Sequence, residues 1–380
     1  MQPIKLLLPD LPLAEDLLPL LRRIDATRWY TNFGPLVKEF EAKLSQQWPI
    51  PLALSMGELP ALQVVTLNSG TAPLELGIAA LGLPQGSNVL LPSFSFPATA
   101  SALLRNNLKP VFSDVAADSW QLTPSLARAT AAQHPLALVM PVATFGCPLD
   151  VVAWDKFVED TGIPVLMDAA AAFGNQAIGR LVHASFSLHA TKPFGIGEGG
   201  LFVTRDAELS ERVRRLSNFG FENELSTLVG TNAKLSEYAA AIALVQWSRW
   251  PEMQIRRRAQ WAHYHECLAA LDEVQCQSGF ETSMPPANLI VTLPMAAEVV
   301  ARALSQSGIE TRRWYYPPLH RHPAFERYSG HWGTPATSLA VTEKLAYCAL
   351  GLPWHHLLSQ AAMQQIALAL AQALNSAKSR

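Results

Sequence analysis

At 380 residues, 49% hydrophobic and 16% charged, the chain is long enough for two domains and apolar enough to bury a large core, which excludes intrinsic disorder. A net charge of -2 and a single tight basic run, Arg256-Arg257-Arg258, leave no broad electrostatic footprint for nucleic acid. Cys147, Cys267, Cys276 and Cys348 show no CxxC or Cys/His ligand spacing, which argues against a zinc site and a disulfide framework and fits a reducing cytoplasm.

Along the chain, the apolar stretches at 6–8 and 17–21 are interrupted by Pro9, Asp10, Pro12, Glu15 and Asp16. With no cationic segment before them and no small-residue cleavage site after, they read as neither signal peptide nor membrane span. Seven short β-rich runs follow, at 64–67, 88–91, 110–113, 136–142, 164–167, 184–188 and 201–204. Most are apolar throughout rather than alternating, as strands of a sheet covered on both faces are, and helical stretches such as 74–81 and 151–160 separate several of them. One mostly parallel seven-stranded sheet in a three-layer α/β domain is expected. From 232 to about 271 the pattern turns helical, with Leu235, Tyr238, Ile242 and Val245 at three- and four-residue steps, and Pro251 marks a break or kink. The domain junction is placed there, giving a large domain over 1–250 and a smaller α/β domain over 251–380. Within the latter, 288–293, 295–307 and 309–315 read as a β-α-β unit, closed by a helix at 359–374.

Lys192 lies between a strand-like run and the Gly-rich segment Gly195-Ile-Gly-Glu-Gly-Gly200. Such a lysine becomes nucleophilic only where its pKa is lowered, and an aldehyde cofactor such as pyridoxal phosphate (PLP) would then join it as a Schiff base. Asp168 ends the apolar run from 163, at the C-terminal edge of a strand, where ligands of α/β sheets gather; it reads equally as a helix cap. Asn68-Ser-Gly-Thr-Ala-Pro73 joins a strand to a helix, so the N–H groups of Gly70, Thr71 and Ala72 and the Thr71 hydroxyl could bind an anion. Phe96 follows the second strand and could stack on a flat ring. The Gly-rich segment precedes a strand instead of joining strand to helix, which argues against a dinucleotide loop. The pairs His320/His322 and His355/His356 read as surface or loop histidines, so no metal is assigned; His189, three residues before Lys192, reads either as a neighbour of the cofactor or as a packing residue, with packing favoured.

These segments taken together, within the stretches 31–41, 68–72, 91–100, 109–114, 165–174, 187–200, 230–237 and 317–320, resemble the sugar aminotransferases of the DegT/DnrJ/EryC1/StrS family. The match runs in fixed order over nearly the whole chain. The resemblance implies the aspartate-aminotransferase fold, with PLP joined to Lys192 and its pyridine nitrogen paired with Asp168. It places Phe96 against the ring and Thr71, the Ala72 backbone and Ser187 at the phosphate. Asn232 falls where a neighbouring subunit reaches that phosphate, which implies a homodimer with its sites at the interface. It further implies an amino donor, L-glutamate, and a nucleotide-linked keto sugar as acceptor. Two segments depart from the family pattern: Ala171 replaces a Gln or His that serves the cofactor's phenolic oxygen, and Asn232-Ala-Lys234 replaces Asn-Tyr-Arg. Dehydratases of the family carry histidine where this chain has Lys192, and the two departures keep a low-turnover cofactor-binding regulator in view as an alternative.

Overall fold

A computed structural model describes residues 3–49, 59–280, 283–329 and 339–378. Helices α1 (Ala14–Thr27) and α2 (Pro35–Gln46) precede strand β1 (Gln63–Leu67). Helices then alternate with strands through α3 (Ala72–Leu81), β2 (Asn88–Pro92), α4 (Pro97–Arg105), β3 (Lys109–Ser113), α5 (Pro124–Ala131), β4 (Leu138–Val139), α6 (Val151–Thr161) and β5 (Leu166–Asp168). Strands β6 (His183–Ser187) and β7 (Gly200–Thr204) lead into α7 (Ala207–Leu216).

These seven strands coincide, within a few residues, with the seven apolar runs. They are arranged as a four-stranded sheet in the order β1-β7-β6-β5 and a three-stranded sheet in the order β3-β2-β4. Isolated parallel bridges at Val139↔Val165 and Val142↔Asp168 run between the two sheets. Strand pairs β2–β3, β2–β4 and β5–β6 are parallel, whereas β7 is antiparallel to both its neighbours. Every residue of β6 and β7 is buried, as expected where helices cover both faces. One closing contact is between α3 and β7, where a Cβ on Gly77 would lie 2.7 Å from the Phe202 ring. Local chemistry sets several helix ends: Asp150 Oδ1 accepts from Val152 N and Ala153 N at the start of α6, and Gly162 ends it at φ 69°.

Beyond a short hairpin, β8 (Phe221–Glu222) and β9 (Leu225–Ser226), α8 (Glu237–Ala269) runs for 33 residues through Pro251. The break expected at that proline does not occur. Proline removes one hydrogen bond from a helix, but its flanks are held: Trp250 and Met253 are buried, and Asp10 binds Arg249 at 2.8 Å and also pairs with Arg256. Elements β10 (Gln275–Cys276), β11 (Ile290–Thr292), α9 (Ala297–Gln306), α10 (Ala340–Cys348), β12 (Ala349–Gly351) and α11 (Gln360–Lys378) complete the chain. The segment 309–315 is not the expected regular strand. It is tied by single bridges, Ile4↔Ile309 and Arg312↔Gly351, and the local sheet is antiparallel, β10-β11-β12. A separate apolar cluster around Tyr264, Leu289, Val300, Leu350 and Ile366 packs there, with Ile4 against it. Among the described residues no helix is long and apolar enough to cross a membrane.

Candidate active site

A cavity of about 460 Å³ opens at the C-terminal ends of β1, β5 and β6 and is lined by Gly70, Thr71, Phe96, Asp168, Ser187 and Lys192, together with Ala171. Six of the eight residues singled out in the sequence therefore converge. Asp168, the last residue of β5, is 5% exposed. Its Oδ2 accepts from Thr99 Oγ1 at 2.7 Å and its Oδ1 from Ala170 N at 3.1 Å. Thr99 is itself 2.9 Å from Ser95 Oγ. Burial raises the Asp168 pKa, while Thr99, the Ala170 amide and the charge on Lys192 pull it down.

Lys192 sits in the turn between β6 and β7. Its backbone N–H donates to His189 O at 2.8 Å, and the turn is pinned by Ala190 N to Gly197 O at 2.7 Å and Ile196 N to Leu188 O at 2.8 Å. Buried Phe194 and Ile196 anchor this loop in the core. Protein atoms crowd the amine, though part of the residue faces the cavity, and this desolvation lowers the Lys192 pKa against the opposing pull of Asp168. A neutral ε-amine thereby becomes easier to reach, as covalent chemistry on a carbonyl requires.

The β1–α3 turn fits a phosphate. A Cβ on Gly70 would lie 2.3 Å from Ser187 Oγ, so glycine is what lets the turn close over that hydroxyl. Ser187 Oγ accepts from His189 N at 3.2 Å, which leaves its own proton to donate into the cavity. The N-terminal amides of α3 add their dipole. Ala72 differs from the expectation: its N–H donates to Ser69 Oγ at 3.2 Å, and it is not among the cavity-lining residues. Phe96, the residue before α4, is 55% exposed toward the cavity. These features match a PLP-sized group anchored at the ring nitrogen, the reactive carbon and the phosphate.

Asn232 does not line the cavity of its own chain. It is exposed, its carbonyl accepts from Asn68 Nδ2 at 3.4 Å, and it is bridged to Asn218. Lys234, two residues on, turns inward instead, donating to Asn218 Oδ1 at 2.8 Å and lying 4.9 Å from the Phe219 ring.

Several lining residues were missed in the sequence. Arg312 and Trp314, stacked at 5.3 Å, line the cavity with Tyr315 and Asn288. Tyr315 stacks on Phe145 at 5.1 Å and 12°, and burial together with the Asp168 charge pushes its phenol up. Thr99 lay within a recognised segment, but nothing local marked it as the partner of Asp168. His189 is a correction: it lines the cavity, with Nδ1 2.9 Å from Thr191 Oγ1 and Nε2 3.6 Å from Glu198. So are two other histidines. His355 is buried, and His320 bridges Ser93 Oγ at 2.7 Å and Glu343 at 2.8 Å.

The model of the DegT/DnrJ/EryC1/StrS aminotransferase family matches residues 13–371. The dTDP-4-amino-4,6-dideoxy-D-glucose transaminase of Shigella dysenteriae is 30% identical over 86% of this chain and 88% of its own. Among solved structures, DesI in the presence of its TDP-sugar product superposes with a TM-score of 0.84 at 31% identity, covering 99% of this chain and 94% of that one. A putative PLP-dependent aminotransferase from Bacillus cereus ATCC 10987 gives 0.85 at 29% identity, covering 98% and 100%. With this likeness extending over the whole fold and the lysine, aspartate and phosphate turn gathered in one cavity, the chain belongs to the DegT/DnrJ/EryC1/StrS family of PLP-dependent aminotransferases.

Proposed function

We propose that the protein moves an amino group from an amino acid, L-glutamate, to a keto sugar carried on a nucleotide, working by alternate half-reactions as a cytoplasmic homodimer. The observation that carries this reading is the convergence of Lys192 and Asp168 in one cavity whose phosphate turn closes only because residue 70 is glycine. The names of the similar proteins, a dTDP-sugar transaminase and an enzyme studied with a TDP-sugar product, support a nucleotide-linked sugar as acceptor. Two further parts of the reading concern architecture: the bridged four- and three-stranded sheets act as one seven-stranded layer, and the domains are 1–250 and 251–380.

When bound, PLP supplies an electrophilic carbon and a ring that withdraws electrons from the carbon losing its proton. The rest falls to the chain. Asp168, held by Thr99 and the Ala170 amide, keeps the ring nitrogen protonated. With the cofactor in place, Lys192 Nζ would carry a proton between the α-carbon of the donor and the cofactor's exocyclic carbon, and in the opposite sense for the acceptor. Gly70, Thr71 and Ser187 hold the phosphate, and Phe96 covers a ring face. Asn232, exposed and outside its own cavity, completes the phosphate site of a second copy. Turnover of a panel of amino donors with nucleotide-linked keto sugars tests the reading. Glutamate-dependent amination of a keto sugar nucleotide supports it; cofactor binding without turnover on any pair would favour the regulator instead.

A further inference from the structure

The strand order fixes which way a cofactor ring must face. On one side of Asp168 lie β6 with Ser187 and, beyond β7, the Gly70–Thr71 turn; on the other lies Val142, bridged to Asp168 itself. In PLP the phosphate arm and the phenolic oxygen stand on opposite sides of the line from ring nitrogen to reactive carbon. With the nitrogen at Asp168, the carbon at Lys192 and the phosphate at the turn, the phenolic oxygen faces the flank formed by 142–145. Ala171 on this wall presents only a methyl group.

The segment 284–288 closes the same flank. Ala287 N donates to Phe145 O at 2.8 Å, and a Cβ on Gly146 would lie 2.7 Å from Ala171 O and 3.4 Å from Ala287 Cβ. The segment is rigidly held: Asn175 Nδ2 donates to Gly146 O at 2.9 Å and to Met284 O at 3.0 Å, and its Oδ1 accepts from Met284 N at 2.6 Å. Pro286 O accepts from Trp354 Nε1 at 2.8 Å and Arg257 Nη2 at 2.7 Å. Asn288 follows immediately and lines the cavity. A short amide on a fixed backbone, lining the cavity on the flank where position 171 offers no donor, is suited to a preorganised contact.

We infer that the side-chain amide of Asn288 donates the hydrogen bond to the cofactor's phenolic oxygen that Ala171 cannot. The inference rests on the PLP reading of the cavity. A donor at this oxygen stabilises its negative charge, most of all once the adjoining nitrogen has lost its proton, so removing the donor moves the pH midpoint of the bound cofactor's visible absorbance upward.

The test compares reconstituted wild-type protein with Asn288→Ala, Asn288→Ala/Ala171→Gln and Tyr315→Phe. In Asn288→Ala the midpoint should rise by up to about one pH unit and cofactor retention should weaken by roughly two- to tenfold, the range of a neutral hydrogen bond. Glutamine at 171 should restore both in the double variant, and Tyr315→Phe should leave the midpoint in place. Lys192, Asp168, His189, Glu198 and Arg312, the other titratable groups lining the cavity, are common to every protein compared. Asn288→Leu, close in size, uncharged and without a donor, serves should the alanine variant not fold. A loaded Asn288 variant with an unchanged midpoint, or a rise in Tyr315→Phe alone, overturns the inference and leaves the cofactor reading standing. Wild-type protein that never acquires the absorbance overturns both.

Discussion

Thr99→Val removes one atom's worth of chemistry from the centre of the site. The side chain is fully buried, and its hydroxyl donates to Asp168 Oδ2 at 2.7 Å. Valine keeps the shape and loses the donor. A hydrogen bond to a charged group contributes about 1.5–3 kcal/mol, so losing this donor should raise the Asp168 pKa in the cofactor-free protein. The sign follows from burial, which already raises this carboxyl while Thr99 opposes the rise. A protonated Asp168 must release its proton before it can pair with a protonated ring nitrogen, so cofactor affinity falls as pH drops below that pKa. Titrating the apoprotein with PLP across pH, followed by quenching of tryptophan fluorescence, should show the fall beginning at a higher pH in Thr99→Val than in wild type. Thr99→Ser, which keeps the hydroxyl, should behave as wild type. Coincident curves for the valine and wild-type proteins, both folded, would refute the argument that Thr99 sets the charge state of Asp168.

Gly70→Ala should lose most of its PLP affinity while keeping a wild-type circular dichroism spectrum, because the new Cβ would fall 2.3 Å from Ser187 Oγ; cofactor binding at wild-type strength would show that the turn does not hold the phosphate. His183, whose Nδ1 lies 2.8 Å from Thr204 Oγ1, is lowered to about 4 by burial. The unfolded chain takes up a proton near pH 6.5 and the folded one only near 4, so this residue's stability contribution is complete above pH 6.5 and is lost as pH falls toward 4. The loss is about 3 kcal/mol at most. Denaturant melts of His183→Gln should show a shallower acid-side decline than wild type, and an identical decline would assign the acid sensitivity elsewhere. Mixing inactive Lys192→Ala with an inactive Asn232→Ala protein, under conditions where subunit exchange is shown independently, should restore part of the activity through heterodimers that hold one intact site. Exchange without recovery would mean that each chain builds its site alone.

The parts of this fold legible in the sequence are those set by local pattern. Strands buried on both faces read as apolar runs, so all seven were found, and Asp168 and Lys192 stood out because each closes or follows such a run. Pro251 misled because tertiary anchoring by Asp10, Trp250 and Met253 outweighs the local penalty. The segment 309–315 reads as a strand by composition, yet only its pairing partners decide that it makes single bridges, and those partners lie far away in sequence, at Ile4 and Gly351. The same distance hid Thr99, 69 residues from the carboxylate it serves, and Asn288, which reaches the cavity only because Asn175 and Phe145 hold its segment there. The engagement of Lys234 with Asn218 and Phe219 likewise depends on a turn that the tripeptide alone does not specify.

The central claim is that Lys192 is the residue to which the cofactor is covalently joined. Borohydride reduction of the PLP-loaded protein, followed by proteolysis and peptide mass mapping, tests it without relying on any substrate. The account predicts one stoichiometric label on the peptide that carries Lys192, absent from Lys192→Ala. A label on Lys234 or any other lysine, or a loaded protein that yields no reduced adduct, would contradict it.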